Sequence, residues 1–261
     1  MKRILVTGAN GQLGKSIQEV INNYPDYIFD FKTSKELDIT NSNQVRDVFS
    51  SNKYNYCINC AAYTNVEQAE KKPDIAYLVN AKAVKNLAKT CAEYNTILLH
   101  ISTDYVFDGE KKEPYTVDDI PNPINEYGKS KLEGEKYIQK ILKEYFIIRT
   151  SWLYSKKNGK NFYKTILEKA KKGEDLNITD SQIGCPTDTN NLTNYIISLI
   201  IRNNQKFGIK HFTDNQVLTW YDFAKKILID NNLEDRVSLK KVKNYCTFAK
   251  RPINSVLYFK K

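Results

Sequence analysis

The first fourteen residues, MKRILVTGANGQLG, constrain the fold more tightly than any other stretch. Ile4, Leu5 and Val6 form a short apolar run of the kind a buried parallel strand needs. Gly8, Gly11 and Gly14 follow at once. From Gln12 to Ile21, the apolar residues Leu13, Ile17, Val20 and Ile21 recur at helical spacing. The order is strand, glycine turn, helix. Such glycines let the backbone approach a pyrophosphate, whose charge would sit at the helix N-terminus. The spacing is G-x-x-G-x-x-G rather than G-x-G-x-x-G, and a glycine turn can also serve packing alone.

Strand-like runs recur between helical stretches through the first half. They are Arg3 to Thr7, Tyr27 to Lys32, Tyr54 to Cys60, Thr96 to Ser102 and Phe146 to Thr150. Between them lie helical patterns over Gln12 to Asn22, Ser42 to Ser51, Asp74 to Tyr94 and Asn125 to Lys143. This alternation predicts an α/β fold with a doubly wound parallel sheet. Functional residues should then gather at the carboxyl ends of the strands. Gly8, Ala61 and Ala62, and Ser102 to Asp104 all fall there.

After Arg149 the pattern changes. Helices are expected over Asn158 to Lys172, Asp188 to Asn203 and Thr219 to Asn232, a short strand at Leu176 to Thr179, and an isolated strand at Ile209 to Phe212. Residues 1–150 read as a nucleotide-binding domain. Residues 151–261 read as a smaller α/β region packed on it as a lid.

Composition excludes several classes. No apolar run approaches membrane-spanning length, and no signal peptide is visible. Cys57 and Cys60 form the one C-x-x-C, inside a buried strand end, and His100 and His211 are the only histidines. A metal centre is therefore not expected, and a reducing cytoplasm is the natural setting. The net charge of +10 is spread along the chain rather than gathered in a patch. It argues for a basic surface that tolerates a diphosphate ligand, not for nucleic acid.

Tyr127-Gly128-Lys129-Ser130-Lys131 carries the chemistry. A tyrosine and a lysine four apart share one helix face. A free phenol titrates near ~10, and a fixed ammonium beside it lowers that value and lets it trade a proton. The same pair also occurs as plain surface residues on amphipathic helices.

Together these pieces resemble the extended short-chain dehydrogenase/reductases and, more narrowly, the dTDP-4-dehydrorhamnose reductases. The resemblance runs from Lys2 to about Leu257. It is carried by TGANGQLG (Thr7 to Gly14), Leu37-Asp38-Ile39, NCAAYT (Asn59 to Thr64), Val79-Asn80-Ala81 and STDYVFDG (Ser102 to Gly109). It continues through YGKSK (Tyr127 to Lys131), RTSWLY (Arg149 to Tyr154), DSQIGCPT (Asp180 to Thr187) and Arg251-Pro252-Ile253-Asn254-Ser255. Two departures stand out. Val66-Glu67 replaces the family's Val-Asp, and the chain reaches Lys261 where the family continues through a final helical stretch.

The resemblance implies a Rossmann-like fold and a dTDP-sugar substrate. It implies that Tyr127 is the catalytic acid, that Lys131 lowers its pKa and holds the nicotinamide ribose, and that Thr103 bonds the reacting oxygen. The alternative for Thr103 is a turn residue before Asp104. Asp104 is expected at sugar hydroxyls or as a cap, and Trp152 against the substrate or in the core. Gly8, Asn10, Gly11, Gln12 and Leu13 should meet the pyrophosphate. Asp38 and Ile39 should flank the adenine, though Asp38 could instead cap the helix near Ser42. Ala61, Ala62 and Tyr63 should line the cofactor, and Asn80 should anchor nearby backbone. The second strand ends Phe31-Lys32-Thr33-Ser34-Lys35. With no acid at that point, NADPH is expected, NADH remaining open. A homodimer, another nucleotide-sugar reductase or epimerase, and a non-catalytic subunit like the β subunit of methionine adenosyltransferase also remain open.

Overall fold

A computed structural model describes residues 1–203, 205–243 and 247–260. Five strands follow one another in the first half: β1 (Lys2–Thr7), β2 (Tyr27–Lys32), β3 (Tyr56–Asn59), β4 (Ile97–Thr103) and β5 (Tyr145–Thr150). They form one parallel sheet in the order β2-β1-β3-β4-β5, with a sixth strand, Gly208–His211, added beside β5. The doubly wound fold is as read from the sequence, and the chain reverses its direction of winding between β1 and β3.

The inner strands carry apolar runs at their centres because both faces of the sheet are covered there. In β1, Leu5 enters one core with Cys57, Leu98 and Ile147, beneath α2 (Ser42–Ser51), α5 (Ala83–Glu93) and α6 (Glu126–Ile141). Ile4 and Val6 enter the other, with Ile58, Leu99 and Ile148, beneath α1 (Gln12–Val20) and α8 (Thr189–Ile201). A fully buried aliphatic side chain of this kind contributes ~1.5–3 kcal/mol.

The strand expected to stand alone is the sheet's sixth member. Ile209 lies opposite Ile147 and His211 opposite Arg149. Four residues, with Ile209 the one aliphatic side chain among them, carry too little pattern to reveal a sheet edge. α8 likewise covers the main sheet, so the chain beyond residue 150 contributes both a strand and a helix to the first layer. The rest of that region has its own core, where α7 (Phe162–Lys171) and α9 (Trp220–Asp230) pack Tyr163, Ile166, Phe223 and Ile227 against the paired strands Leu176–Thr179 and Leu239–Val242.

The stretch expected as one helix from Asp74 to Tyr94 is interrupted. α4 (Pro73–Tyr77) passes through a π-helical turn, Leu78–Lys82, into α5. Such turns often sit at functional places. Here the turn carries Asn80, whose amide holds both the N–H and the carbonyl of Tyr63 and donates to Ser130 Oγ at 3.0 Å. The short α3 (Val66–Lys71), capped by Asn65, has too few residues to show a period and was not expected.

The end of the described chain returns to the first region. Ile183 and Ser255 exchange backbone bonds with their neighbours, Ile183 N–H to Ile253 O and Ser255 N–H to Ile183 O. Asn254 N–H donates to Gly109 O. A Cβ on Gly109 would lie 2.6 Å from Ile253 N, so a glycine is needed where the two motifs meet.

Candidate functional site

At the carboxyl ends of the strands a cleft of about 550 Å³ opens beside the β1/β3 switch point. Asn10, Gly11, Gln12 and Leu13 line it, with Ala62, Thr103, Asp104, Tyr127, Lys131 and Trp152. Gly8, Asp38, Ile39, Ala61 and Tyr63 are not in its wall.

The turn after β1 is built for close approach. Gly8 is left-handed at φ 66°, and a Cβ there would lie 2.6 Å from Ala61 N. α1 then begins at Gly11 with no side chain capping it. The other long helices that rise from loops are all capped, by Asn41, Asn125, Asn161, Asp188 and Thr219. The free N–H groups of α1 face the cleft and suit an anionic group.

Thr103 ends β4, 5% exposed. Its Oγ1 accepts from Tyr105 N–H at 3.1 Å, closing a turn, and donates to Asp104 Oδ1 at 3.0 Å. Thr103 thus closes the turn and also lines the cleft. Tyr127, in the first turn of α6, lines the cleft together with Thr103. The two elements meet because position 128 is glycine: a Cβ there would lie 2.1 Å from Tyr105 O. Asn125 fixes the helix start by accepting from Gly128 N–H at 2.8 Å and donating to Lys250 O at 2.9 Å.

Burial pushes the Tyr127 phenol up, the neighbouring Thr103 hydroxyl pulls it down, and nearby Asp104 and Tyr105 push it further up, so it rises overall. The Lys131 ammonium, expected to lower it, is engaged elsewhere. It donates to Ile101 O at 2.6 Å and lies 3.3 Å from His100 Nε2. Lys131 is 2% exposed, and burial brings its pKa down to about 8. Behind it runs a buried polar chain, in which His100 Nδ1 lies 2.9 Å from Asn59 Nδ2 and Thr7 Oγ1 donates to Asn59 Oδ1 at 2.6 Å. His100 and Asn59 were not singled out. The signal was there, since His100 interrupts the apolar run of β4 and Asn59 ends that of β3.

Asp104 is 2% exposed and accepts from Ser151 Oγ at 2.9 Å. Burial raises its pKa to about 6, against the opposing bonds from Ser255, Ser151 and Thr103. Arg149 of RTSWLY is buried in a forked pair with Glu135, Nη2 to Oε2 at 2.7 Å. It ties β5 to α6 below the cleft.

Trp152 adopts a left-handed φ of 47°, unusual for a bulky residue. The twist turns its ring onto Trp220, stacked at 3.5 Å and 6°. Gly184 makes room, since a Cβ there would lie 2.5 Å from the Trp152 ring. Trp220, the first residue of α9, lines the cleft and was missed; its one signal was being the chain's second tryptophan.

The adenine side is different. Asp38 is exposed, its carboxylate accepting from Thr40 N–H at 2.9 Å and Thr40 Oγ1 at 2.7 Å. The helix cap is Asn41. Ile39 is buried in the core at 5% exposure. Asp30 is paired with Lys32 at 3.1 Å and accepts from Tyr54. An acid does lie near the end of β2, further along than expected: Glu36 accepts from Thr33 N–H at 2.9 Å and Thr33 Oγ1 at 2.7 Å.

Among the described residues no cluster of His, Cys, Asp and Glu could hold a metal ion, and no helix is long and apolar enough to cross a membrane.

A Rossmann-type sheet with a Thr–Tyr–Lys cleft at its switch point defines the class of nucleotide-dependent reductases and epimerases. The family model described as "RmlD substrate binding domain" matches residues 1–261, and the chain belongs to that family. A protein of Aggregatibacter actinomycetemcomitans named dTDP-4-dehydrorhamnose reductase is 40% identical over 275 residues, covering 98% of this chain and 90% of that one. The Escherichia coli K12 protein of the same name is 34% identical, covering 97% and 88%. The crystal structure of dTDP-4-dehydrorhamnose reductase from Bacillus anthracis str. Ames in complex with NADP superposes with a TM-score of 0.95 at 40% identity, covering 100% and 92%.

Proposed function

We propose that this chain reduces dTDP-4-dehydro-L-rhamnose to dTDP-L-rhamnose with NADPH, as the last step in making that nucleotide sugar. The observation that carries the reading is the placement of Thr103, Tyr127 and Lys131 together in a cleft shared with the uncapped start of α1. Relatives 40% identical along almost their whole length, one solved with NADP, support it.

The residues fit the cofactor. The glycine turn would take the pyrophosphate on the N–H groups of Gln12 and Leu13. Ala62 would leave room for the ribose, and Ala61 and Tyr63 would act through their backbone. Exposed Asp38 would accept from the adenine amino group, with Ile39 shaping the backbone beside it. Lys131 would hold the nicotinamide ribose. Glu36, on Thr33, is the acid that a 2′-phosphate would have to displace, which keeps NADH in view beside NADPH. Residues 1–150 would supply the cofactor side and much of residues 151–261 the sugar side.

Bound NADPH supplies the hydride that reduces the C4 ketone. The protein's task is to manage the oxygen that becomes an alkoxide. Thr103 Oγ1 would donate to it and Tyr127 Oη would give it a proton. A phenol with a raised pKa is still a far stronger acid than the alcohol formed, so the transfer runs downhill. Asp104 would meet sugar hydroxyls and Trp152 the sugar or base. The proposal sets the reaction in the cytoplasm; the described cysteines 57, 60, 91 and 185 are free thiols.

The test is NADPH oxidation by purified protein with dTDP-4-dehydro-L-rhamnose and a panel of other dTDP-4-keto sugars. Turnover with product dTDP-L-rhamnose is expected. No oxidation with this sugar, or clear preference for another, would overturn the reading.

A further inference from the structure

A row of polar side chains crosses the sheet where an apolar row would pack as well. Thr7, Asn59 and His100 lie opposite one another on β1, β3 and β4. Two residues earlier the same strands present Leu5, Cys57 and Leu98 to the core that Ile138 of α6 joins. By the strand period of two, the polar row shares that face. It is fully buried, at 0%, 1% and 0% exposure. The row is bonded along its length, from the Thr7 hydroxyl through the Asn59 amide to His100 Nδ1, and His100 Nε2 then meets Lys131 Nζ. Both ring nitrogens of His100 are engaged, whereas His211 Nε2 has no partner within the protein. A satisfied polar row adds little stability over an apolar one of the same shape. Holding the sheet together therefore does not account for it. What it reaches is Lys131, in the wall of the cleft.

The bonds at Nζ show what the row achieves. An ammonium has three N–H groups. Ile101 O takes one at 2.6 Å, His100 Nε2 takes another, and one is left. A neutral amine has two N–H groups and a lone pair. The lone pair takes His100 Nε2–H, Ile101 O takes one N–H, and again one is left. His100 suits both forms because its ring is neutral: burial and the Lys131 charge hold its pKa well below the ordinary histidine value. Its tautomer follows from the bond at Nδ1. Asn59 can present either end of its amide there, because the Thr7 hydroxyl behind it both donates and accepts. The other charged or titratable groups acting on Lys131 are Glu135 of α6 and Cys60 after β3. Glu135 is itself held by Arg149 and Ser102, so it lends charge to the site and not direction.

We infer that His100 is the positioning residue of Lys131: together with Ile101 O it fixes Nζ so that the one remaining N–H is offered to the nicotinamide ribose of bound NADPH. Asn59 and Thr7 act through His100 by fixing its ring. His100 touches neither cofactor nor sugar. This inference rests on the NADPH-dependent reading above.

The experiment separates the two ring nitrogens. His100→Asn keeps a polar group at the Nδ1 place, facing Asn59, and gives up the contact with Lys131. His100→Gln reaches the Nε2 place and keeps that contact. The NADPH dissociation constant is read from the fluorescence of its reduced nicotinamide, alongside kcat, KM for NADPH and the affinity for dTDP. His100→Asn should weaken NADPH about tenfold or more, the scale of a lost bond to a charged group. KM for NADPH should rise more than kcat falls, dTDP affinity should hold, and His100→Gln should recover most of the loss. On a Lys131→Met background His100→Asn should add little, because both act through one contact. Unchanged NADPH affinity in His100→Asn, equal losses in the Asn and Gln variants, or full additivity with Lys131→Met overturns the inference. If His100→Asn fails to fold, the wild-type ring decides it. The chain has only two histidines, so nitrogen-15 spectra resolve both rings. The His100 Nε2 signal should move as NADPH is added while those of His211 stay; a His100 signal indifferent to NADPH overturns the inference. Wild-type protein that binds no NADPH counts against the functional reading; wild-type binding with unaltered affinity in His100→Asn counts against this inference alone.

Discussion

Replacing Gly128 by alanine should cost more in turnover than in stability. In an unobstructed helix this exchange stabilises by ~0.5–1 kcal/mol, since alanine loses less chain entropy. Here the new Cβ would lie 2.1 Å from Tyr105 O, with ordinary contact beginning at 3.4 Å. The helix start and the 103–105 turn must therefore separate by about 3.4 − 2.1 = 1.3 Å. That gap falls directly between Thr103 and Tyr127. A misplacement of ~1 Å can cost ~10²-fold in rate, whereas overpacking costs ~1–3 kcal/mol, partly offset by helix propensity. The assay is kcat at saturating NADPH and sugar, with thermal melting run in parallel. Roughly a hundredfold loss of kcat with a fall of only a few degrees in Tm is expected. Wild-type kcat in a folded Gly128→Ala protein would refute the reasoning, because it would show that the close approach does not set the Thr103–Tyr127 geometry.

Tyr127→Phe keeps the ring and removes the proton donor, so kcat should fall ~10²–10⁴-fold while NADPH still binds; near-normal turnover would remove Tyr127 from the chemistry. Lys131→Met has a signature without ligands. Burial holds the wild-type ammonium at about 8 against 10.5 for a free lysine, so the unfolded chain binds more protons between those values. Wild-type stability should then rise with pH from about 8 to 10.5 relative to Lys131→Met, and parallel melting curves across that window would contradict the burial argument. Trp152→Ala should raise KM for the sugar more than it weakens NADPH. A loss of ~3–5 kcal/mol of stability with unchanged KM would make Trp152 a packing residue instead.

The parts of this molecule legible in its sequence are those set by local pattern. The strands β1, β3, β4 and β5 announce themselves because burial on both faces demands apolar runs at their centres. Thr103, Tyr127 and Lys131 could be placed because they sit at strand ends and helix starts of that pattern. What stayed hidden depends on meetings between distant segments. Nothing near Trp220 indicates that it will stack on Trp152, and nothing near Glu67 indicates that it will hold Arg251. Lys131 looked like a partner for the Tyr127 phenol by spacing alone, yet its rotamer is decided by Ile101 O and His100 on β4. Ile39 was expected at a ligand and lies in the core, because an apolar side chain next to Leu37 is drawn under α2. The acid near the end of β2 was passed over since Glu36 lies beyond the strand and reaches back to Thr33 only through the turn.

The sixth strand bears on how this protein comes into being. β5 receives its outer backbone partner from residues 208–211, more than fifty positions later, and the layer above β1 is completed by Leu192, Ile196 and Ile200 of α8. A nascent chain that had emerged only as far as the end of β5 would present a bare sheet edge and an uncovered apolar face. Completion of the main sheet should therefore wait for the segment beyond residue 150 to be synthesised, and the two halves are expected to melt together rather than in turn. Amide protons of β5 would exchange only through global opening, while those of the Leu176–Thr179 and Leu239–Val242 pair, outside that shared layer, could exchange through smaller excursions.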